Sequence, residues 1–196
     1  MAILMLMELE GGTREQYNAV DELLGGVTVE NAPEGLISHS AAITEDGLVV
    51  ADVWESPEAL EAFFEAQLGP AFQQAEIPPT EPRILPVHNH IHGSGLHPGV
   101  LLIAEIDGMT TDDYDRMTGE IEGHGGDGSA HPSVSHIAAT DGDTLVVVDV
   151  WESEEAFGQF ADSELAPSAG DSMGEMSTKF GEVHNHVPVK TPAPKG

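Results

Sequence analysis

The chain has 196 residues, with six Lys and Arg against 35 Asp and Glu, a formal charge of −29, and no cysteine. The missing cysteines exclude disulfides, thiolate metal ligands and cysteine nucleophiles. The acidity repels phosphate backbones and anionic lipid, which excludes nucleic-acid binding and polybasic membrane docking, and no apolar run reaches the length of a membrane span.

The opening "AILMLMEL" (2–9) reads as an apolar strand. It lacks the basic flank and cleavage site of a signal peptide, so a cytoplasmic protein is expected. Thr13 then starts a helix with Gln16 as its capping-box partner, and Tyr17, Val20 and Leu24 form its apolar stripe. "GLISHSAAI" and "LVVADVW" follow as strands joined by "TEDG", a hairpin signal. Ser56-Pro57 supplies an N-cap with Pro at N1, and Ala59, Leu60, Phe63 and Phe64 form the buried face of a second helix. "ILPVHNHI" closes the series as a fourth strand. The order β-α-β-β-α-β is the ferredoxin-like split unit.

The whole series then occurs again. "VVADVWESPEALEAFFEAQLGP" (49–70) aligns with "VVVDVWESEEAFGQFADSELAP" (146–167) at an offset of 97, which also pairs "ELEGGTREQY" (8–17) with "EIDGMTTDDY" (105–114). The chain reads as a tandem duplication: a first repeat over 1–93, a linker over 94–99, a second repeat over 100–189 and a frayed tail over 190–196.

The stretch "DVWESPEALEAFFEAQLGPAF" resembles the third strand and second helix of the dimeric α+β barrel superfamily. The likeness is closest to its antibiotic-biosynthesis-monooxygenase-like branch, with a W/Y-x-S-x-E-A-F/L pattern and a late "VHN". The resemblance implies an α+β fold in which two ferredoxin-like repeats pack sheet to sheet as an intrachain pseudo-dimeric barrel, with further homo-oligomerisation open. Family activities include cofactor-free oxidation of quinol-type aromatics, polyketide cyclisation and haem degradation. Haem degraders pair a Trp at the position of Trp54 and Trp151 with a haem-ligating His in the next helix. The segments 57–75 and 154–169 contain no His, so haem is not expected.

Strand parity then selects side chains, because residues two apart share a face. Val49, Ala51 and Val53 form an apolar row suited to packing under helices. Val50, Asp52 and Trp54 take the other face, which the resemblance makes the barrel interior. With Asp46-Gly47 as the turn, His39 faces Trp54 and Ala41 faces Asp52. The second repeat supplies His136, Asp149 and Trp151. His39 and His136 have the chemistry of general bases, Asp52 and Asp149 of orienting carboxylates, and Trp54 and Trp151 of aromatic walls.

"VHNH" occurs at 87–90 and again at 183–186. On a regular strand His88 and His90, and likewise His184 and His186, share one face. Each pair could supply two ligands to zinc or iron, with a third from His39 or Glu8. The same pairs could equally be structural. Both pairs are expected to face the barrel interior beside His39 and His136. His92 and His97 are expected at the surface, and His124 and His131 have no counterpart in the first repeat.

The leading reading is a small-molecule enzyme acting on an aromatic or polyketide-like substrate, with His as base and no cofactor. A metal-dependent enzyme and a non-catalytic ligand-binding or stress-associated barrel are the alternatives. The acidity carries its own prediction. Self-repulsion at −29 is screened above roughly 0.15 M salt, where the Debye length falls to about 8 Å. The melting temperature should therefore rise between dilute buffer and molar KCl, and a flat response would refute this.

Overall fold

The computed structural model describes residues 1–78, 80–119, 131–169 and 175–189. An unbroken apolar run from Ile3 to Met7 makes β1 (Ile3–Glu10) a strand buried on both faces. The helix α1 (Arg14–Leu24) starts on the expected capping box: the Gln16 amide donates to Thr13 Oγ1, and the Thr13 amide to Gln16 Oε1. It stops at Gly25 in the left-handed region. Strands β2 (Leu36–Thr44) and β3 (Gly47–Trp54) form the hairpin.

The helix α2 (Pro57–Phe63) begins at Ser56, whose Oγ accepts the Ala59 amide. It widens into a π-turn over Phe64–Leu68 before α3 (Gly69–Gln74). Pro70 explains the turn: it has no amide to donate, and its ring crowds the carbonyl of Ala66, so the helix opens there. Then comes β4 (Arg83–His92). The second series is β5 (Val100–Asp107), α4 (Thr111–Gly119), β6 (Ser135–Asp141), β7 (Thr144–Trp151), α5 (Glu154–Phe160), a π-turn over Ala161–Leu165, α6 (Ala166–Ala169) and β8 (Met176–Pro188). Pro167 sits behind the second π-turn as Pro70 sits behind the first. No helix among the described residues is long and apolar enough to cross a membrane. The tail from 190 onwards and His124 lie outside the described residues.

The strands hydrogen-bond in the order β1-β3-β2-β8-β5-β7-β6-β4, closing an eight-stranded antiparallel barrel. Two compact units divide the chain, and each contains a strand segment from the other repeat. Unit 1 holds residues 1–86 with 183–191, and unit 2 holds 87–182. The changeover falls inside strands. Arg83–Pro86 of β4 pairs with β1 in unit 1, whereas Val87–His92 pairs with β6 in unit 2. Likewise Met176–Glu182 of β8 pairs with β5 in unit 2, and the Val189 amide donates to Ile37 in unit 1.

Two sequence expectations need correction. Within the β2–β3 hairpin His39 lies opposite Asp52 and Ala41 opposite Val50, two residues from the expected pairing. Thr44 is responsible: its Oγ1 accepts the amides of Asp46 and Gly47, so Glu45-Asp46 rather than Asp46-Gly47 becomes the centre of the turn. A shift of two leaves the faces unchanged.

The second correction concerns which face is which. Ile3, Met5, Met7, Leu36 and Trp54 pack with Val20 of α1, Phe63 of α2 and Leu68, so the row Val50, Asp52, Trp54 lies under the helices. Val49, Ala51 and Val53, each at most 1% exposed, occupy the inner face of the barrel. An interior of eight strands is only wide enough for small and medium side chains, and the bulky Trp and Met residues go where helices leave room.

Gly47 shows how tight the hairpin is against β1. Its φ is +147°, and a Cβ there would lie 2.2 Å from the Leu9 carbonyl oxygen. Gly142, at φ +61° in the second hairpin, has open space around it. Gly47→Ala should cost about 3 kcal/mol and Gly142→Ala about 1 kcal/mol, read as shifts in urea midpoint. Equal costs would show that the close contact with Leu9 is not what requires glycine.

Candidate active site

In unit 1 the hairpin sets His39 beside Asp52, and α1 lowers Tyr17 onto the same spot. His39 Nδ1 lies 2.7 Å from Asp52 Oδ1, and Tyr17 Oη 2.7 Å from His39 Nε2. The Asn185 side-chain amide donates to Tyr17 Oη at 2.9 Å. His39 is 5% exposed and Asp52 6%.

The order of protons in this chain follows from which groups can only donate or only accept. A carboxylate accepts, so His39 Nδ1 carries the hydrogen. With the imidazole in its neutral form, Nε2 presents a lone pair, and Tyr17 O–H donates to it. Tyr17 oxygen is thereby left to accept from the Asn185 amide, which can only donate. The relay Asn185→Tyr17→His39→Asp52 points every hydrogen toward the carboxylate. Burial pushes the Tyr17 hydroxyl well above the ordinary tyrosine range, with the carboxylates of Asp21 and Asp52 adding to the rise.

These groups border a cavity of about 70 Å³ under the helices, lined by Tyr17, His39, Asp52 and Trp54 and otherwise mainly by apolar side chains such as Met5, Met7, Leu68 and Phe72. It has room for more than one water-sized group. Its walls select an apolar guest, with Tyr17 and Asp21 reaching it from α1 and His39 and Asp52 from the sheet.

Unit 2 repeats the chain with the same lengths. His136 Nδ1 is 2.7 Å from Asp149 Oδ1, Tyr114 Oη 2.7 Å from His136 Nε2, and Asn89 donates to Tyr114 Oη at 2.9 Å. Burial likewise raises the Tyr114 hydroxyl. Two details differ: Trp151 Nε1–H donates to Asp149 Oδ2 at 3.2 Å, and His131 packs 5.3 Å from the His136 ring. Burial, reinforced by His136, lowers the His131 pKa to about 4, so it is neutral at pH 7.

The six residues expected to carry chemistry therefore gather as two trios, His39, Asp52, Trp54 and His136, Asp149, Trp151, under the helices of each unit. Sequence reasoning missed the tyrosines and the asparagines. "VHNH" contributes chiefly through its Asn, and its two histidines do not share a face as expected. A β-bulge between Val87 and Asn89 resets the alternation, so Asn89 lies opposite Ala138 and His90 opposite Ile137. His88 therefore turns to α4, where Nε2 donates to Asp115 at 2.9 Å and the ring meets Tyr114 edge-on at 5.5 Å. His90 takes the other face.

The second copy does the same. His184 packs edge-on to Tyr17 at 5.1 Å and bonds Asn18 and Arg14 of α1, whereas His186 Nδ1 meets Ser40 Oγ at 2.9 Å. Among the described residues no group of three or more His, Asp or Glu is arranged to hold a metal ion. His97 is exposed as expected. His92 is half-buried, its Nε2 enclosed and its pKa lowered by that burial.

No family model and no curated protein matches the chain. Solved structures do. Two proteins each described as a "putative monooxygenase" align along almost the whole length. The one from Lactobacillus acidophilus NCFM has a TM-score of 0.70 at 11% identity, covering 100% of this chain and 98% of its own. The one from Fusobacterium nucleatum subsp. nucleatum has a TM-score of 0.68 at 12% identity, covering 99% and 96%. An anthrone oxidase-like protein aligns with a TM-score of 0.52 at 15% identity, covering 98% and 94%. At such identities the shared property is the fold, a mixed α+β architecture with an eight-stranded antiparallel barrel; function has to be argued from the site.

The chain has only two tyrosines, Tyr17 and Tyr114, and both belong to the relays. Their raised pKa values mean that folding disfavours the phenolate. The associated stability is complete below pH 10, the ordinary tyrosine value, and is lost as pH climbs above it. Native protein should show almost no tyrosinate absorbance at 295 nm at pH 10.5, whereas urea-unfolded protein should titrate near 10. Ordinary titration of either tyrosine in the folded protein would contradict the buried relay.

Proposed function

We propose that the chain is a cofactor-independent oxygenase acting on a neutral, planar aromatic ketone or phenol, of the kind an anthrone represents. The observation carrying this reading is the Tyr17–His39–Asp52 chain opening onto a mainly apolar cavity in unit 1, with its counterpart in unit 2. An anthrone carries an acidic C–H beside two aromatic rings. Passing that proton to Tyr17 oxygen, as Tyr17 passes its own to His39 Nε2, leaves an electron-rich enolate. The imidazolium so formed is stabilised by Asp52 at 2.7 Å.

The enolate reacts with dioxygen directly. One electron passes to O2, the radical pair joins as a peroxide, and loss of water leaves a second ring carbonyl. Anthrone plus O2 gives anthraquinone plus water, so the balance needs no further reductant. The protein supplies a base, an apolar cavity that widens beyond its volume of about 70 Å³ to admit three fused rings, and a relay that returns the proton. The strongly acidic chain also favours neutral guests over anionic ones.

Oxygen uptake and anthraquinone formation from anthrone test the reading. Turnover should persist after exhaustive chelation. The double substitution His39→Ala/His136→Ala should lower it by roughly 10²-fold or more, the contribution of a positioned base. Unchanged turnover in that variant, or a requirement for added metal, would remove the base-catalysed reading.

A further inference from the structure

At about 70 Å³ the cavity beside His39 is too small for three fused rings, so such a guest needs further room nearby. A larger space borders it. A groove of about 360 Å³ lies between α2 and the β1–β4 pair of unit 1, within the range of about 300–1,000 Å³ typical of small-ligand pockets. Met5, Met7 and Leu68 line both spaces. Methionine is unbranched and repacks readily. Leu68 ends the π-turn over Phe64–Leu68, where the helix has already opened, and such turns frequently accompany functional sites.

The outer part of the groove is apolar and open to solvent. Leu60 comes from α2, Phe64 from the π-turn at 44% exposed, and Ile84 from β4 at 42%. Large apolar side chains left exposed around one concavity mark a binding surface. Glu61 is the one charged residue lining it, which disfavours an anionic guest.

The other repeat shows what kind of group this position accepts. Phe180 lies opposite Leu102 on β5 as Ile84 lies opposite Met5 on β1. Its ring meets Phe157, the counterpart of Leu60 at the 97-residue offset, edge-on at 5.8 Å. There the chain sets an aromatic ring of its own between strand and helix. In unit 1 the smaller Ile84 leaves that place open.

We propose that the groove is the outer half of the substrate site. A planar aromatic ketone lies with its far rings against Leu60, Phe64 and Ile84, and the side chains of Met5, Met7 and Leu68 part to let its reacting end reach Tyr17 and His39. The proposal rests on the aromatic-ketone reading above and adds to it the direction in which the cavity widens.

Acridone tests this on the full chain without turnover. It has the three-ring outline and ring carbonyl of anthrone, with N–H in place of the oxidisable CH2. The chain has no cysteine, so a single introduced thiol reports on a single place. Ile84→Cys puts that thiol in the groove, and Val50→Cys puts it in the inner cavity opposite Met7. Leu96→Cys, at a position 79% exposed, is the control. Acridone should slow iodoacetamide alkylation of Ile84→Cys and Val50→Cys about five-fold or more, with the same half-saturating concentration, and leave the control unaffected. Adding Leu60→Phe/Ile84→Phe to Val50→Cys rebuilds in unit 1 the aromatic pair packed in unit 2. It should raise the half-saturating concentration about ten-fold by overpacking the groove.

Protection at one position only, at neither, at clearly different concentrations, or equally at the control would overturn the proposal, as would an unchanged requirement in the filled variant. Protection of both thiols without anthrone turnover would sink the oxygenase reading alone. Turnover that depends on the histidines, with no protection of Ile84→Cys, would sink the groove alone.

Discussion

Everything near the two cavities follows from burying a carboxylate. Asp52 and Asp149, at 6% and 5% exposed, can stay ionised there only if donors replace the water they have lost. The imidazole Nδ1 is one such donor, and its use fixes the tautomer, which fixes the tyrosine as donor to Nε2, which in turn requires a donor to the tyrosine oxygen. Three secondary-structure decisions are thereby tied together. The hairpin must bring His opposite Asp, the first helix of the repeat must present Tyr, and the last strand must arrive with Asn. Displacing any of these leaves a polar group enclosed and unanswered, a more severe loss than that of an exposed ion pair.

The elements were legible in the sequence because each carried a local chemical sign: the capping box at Thr13 and Gln16, the Ser56-Pro57 start, the "TEDG" turn. His39, Asp52 and Trp54 were legible as one face because a hairpin conserves parity even when its register is misjudged by two. The identity of that face was not. Both rows of β3 are buried and largely apolar, so polarity gives no orientation, and only the size difference between Trp54 and Ala51 hints at which side has room. Tyr17 was visible as part of an apolar stripe, and its hydroxyl was overlooked because a ring and a phenol look alike to periodicity. A signal was present: Tyr17 and Tyr114 align at the same 97-residue offset in a helix that otherwise diverged.

The bulge at His88 had no sequence sign. A bulge is a property of the pair of strands, and the partner of that segment, β6, belongs to the other repeat. The motif is therefore better described by what it surrounds. His184 lies edge-on to the Tyr17 ring, and Asn185 holds its hydroxyl; His88 and Asn89 do the same for Tyr114. Two adjacent side chains fix both the plane and the polar end of one tyrosine, which a regular strand could not do from a single face.

The exchange of strand segments has a consequence during synthesis. Tyr114 receives its asparagine from residue 89, already made when the helix bearing the tyrosine emerges. Tyr17 must wait for Asn185, 168 residues further along the chain. Unit 1 is thus the unit whose polar relay is completed later, once residue 185 has left the ribosome. Until then Tyr17, His39 and Asp52 form an open-ended chain on a sheet that lacks its final strand. Contacts so distant in sequence close slowly, so the nascent chain passes through an interval in which its first-made cavity is its least finished part.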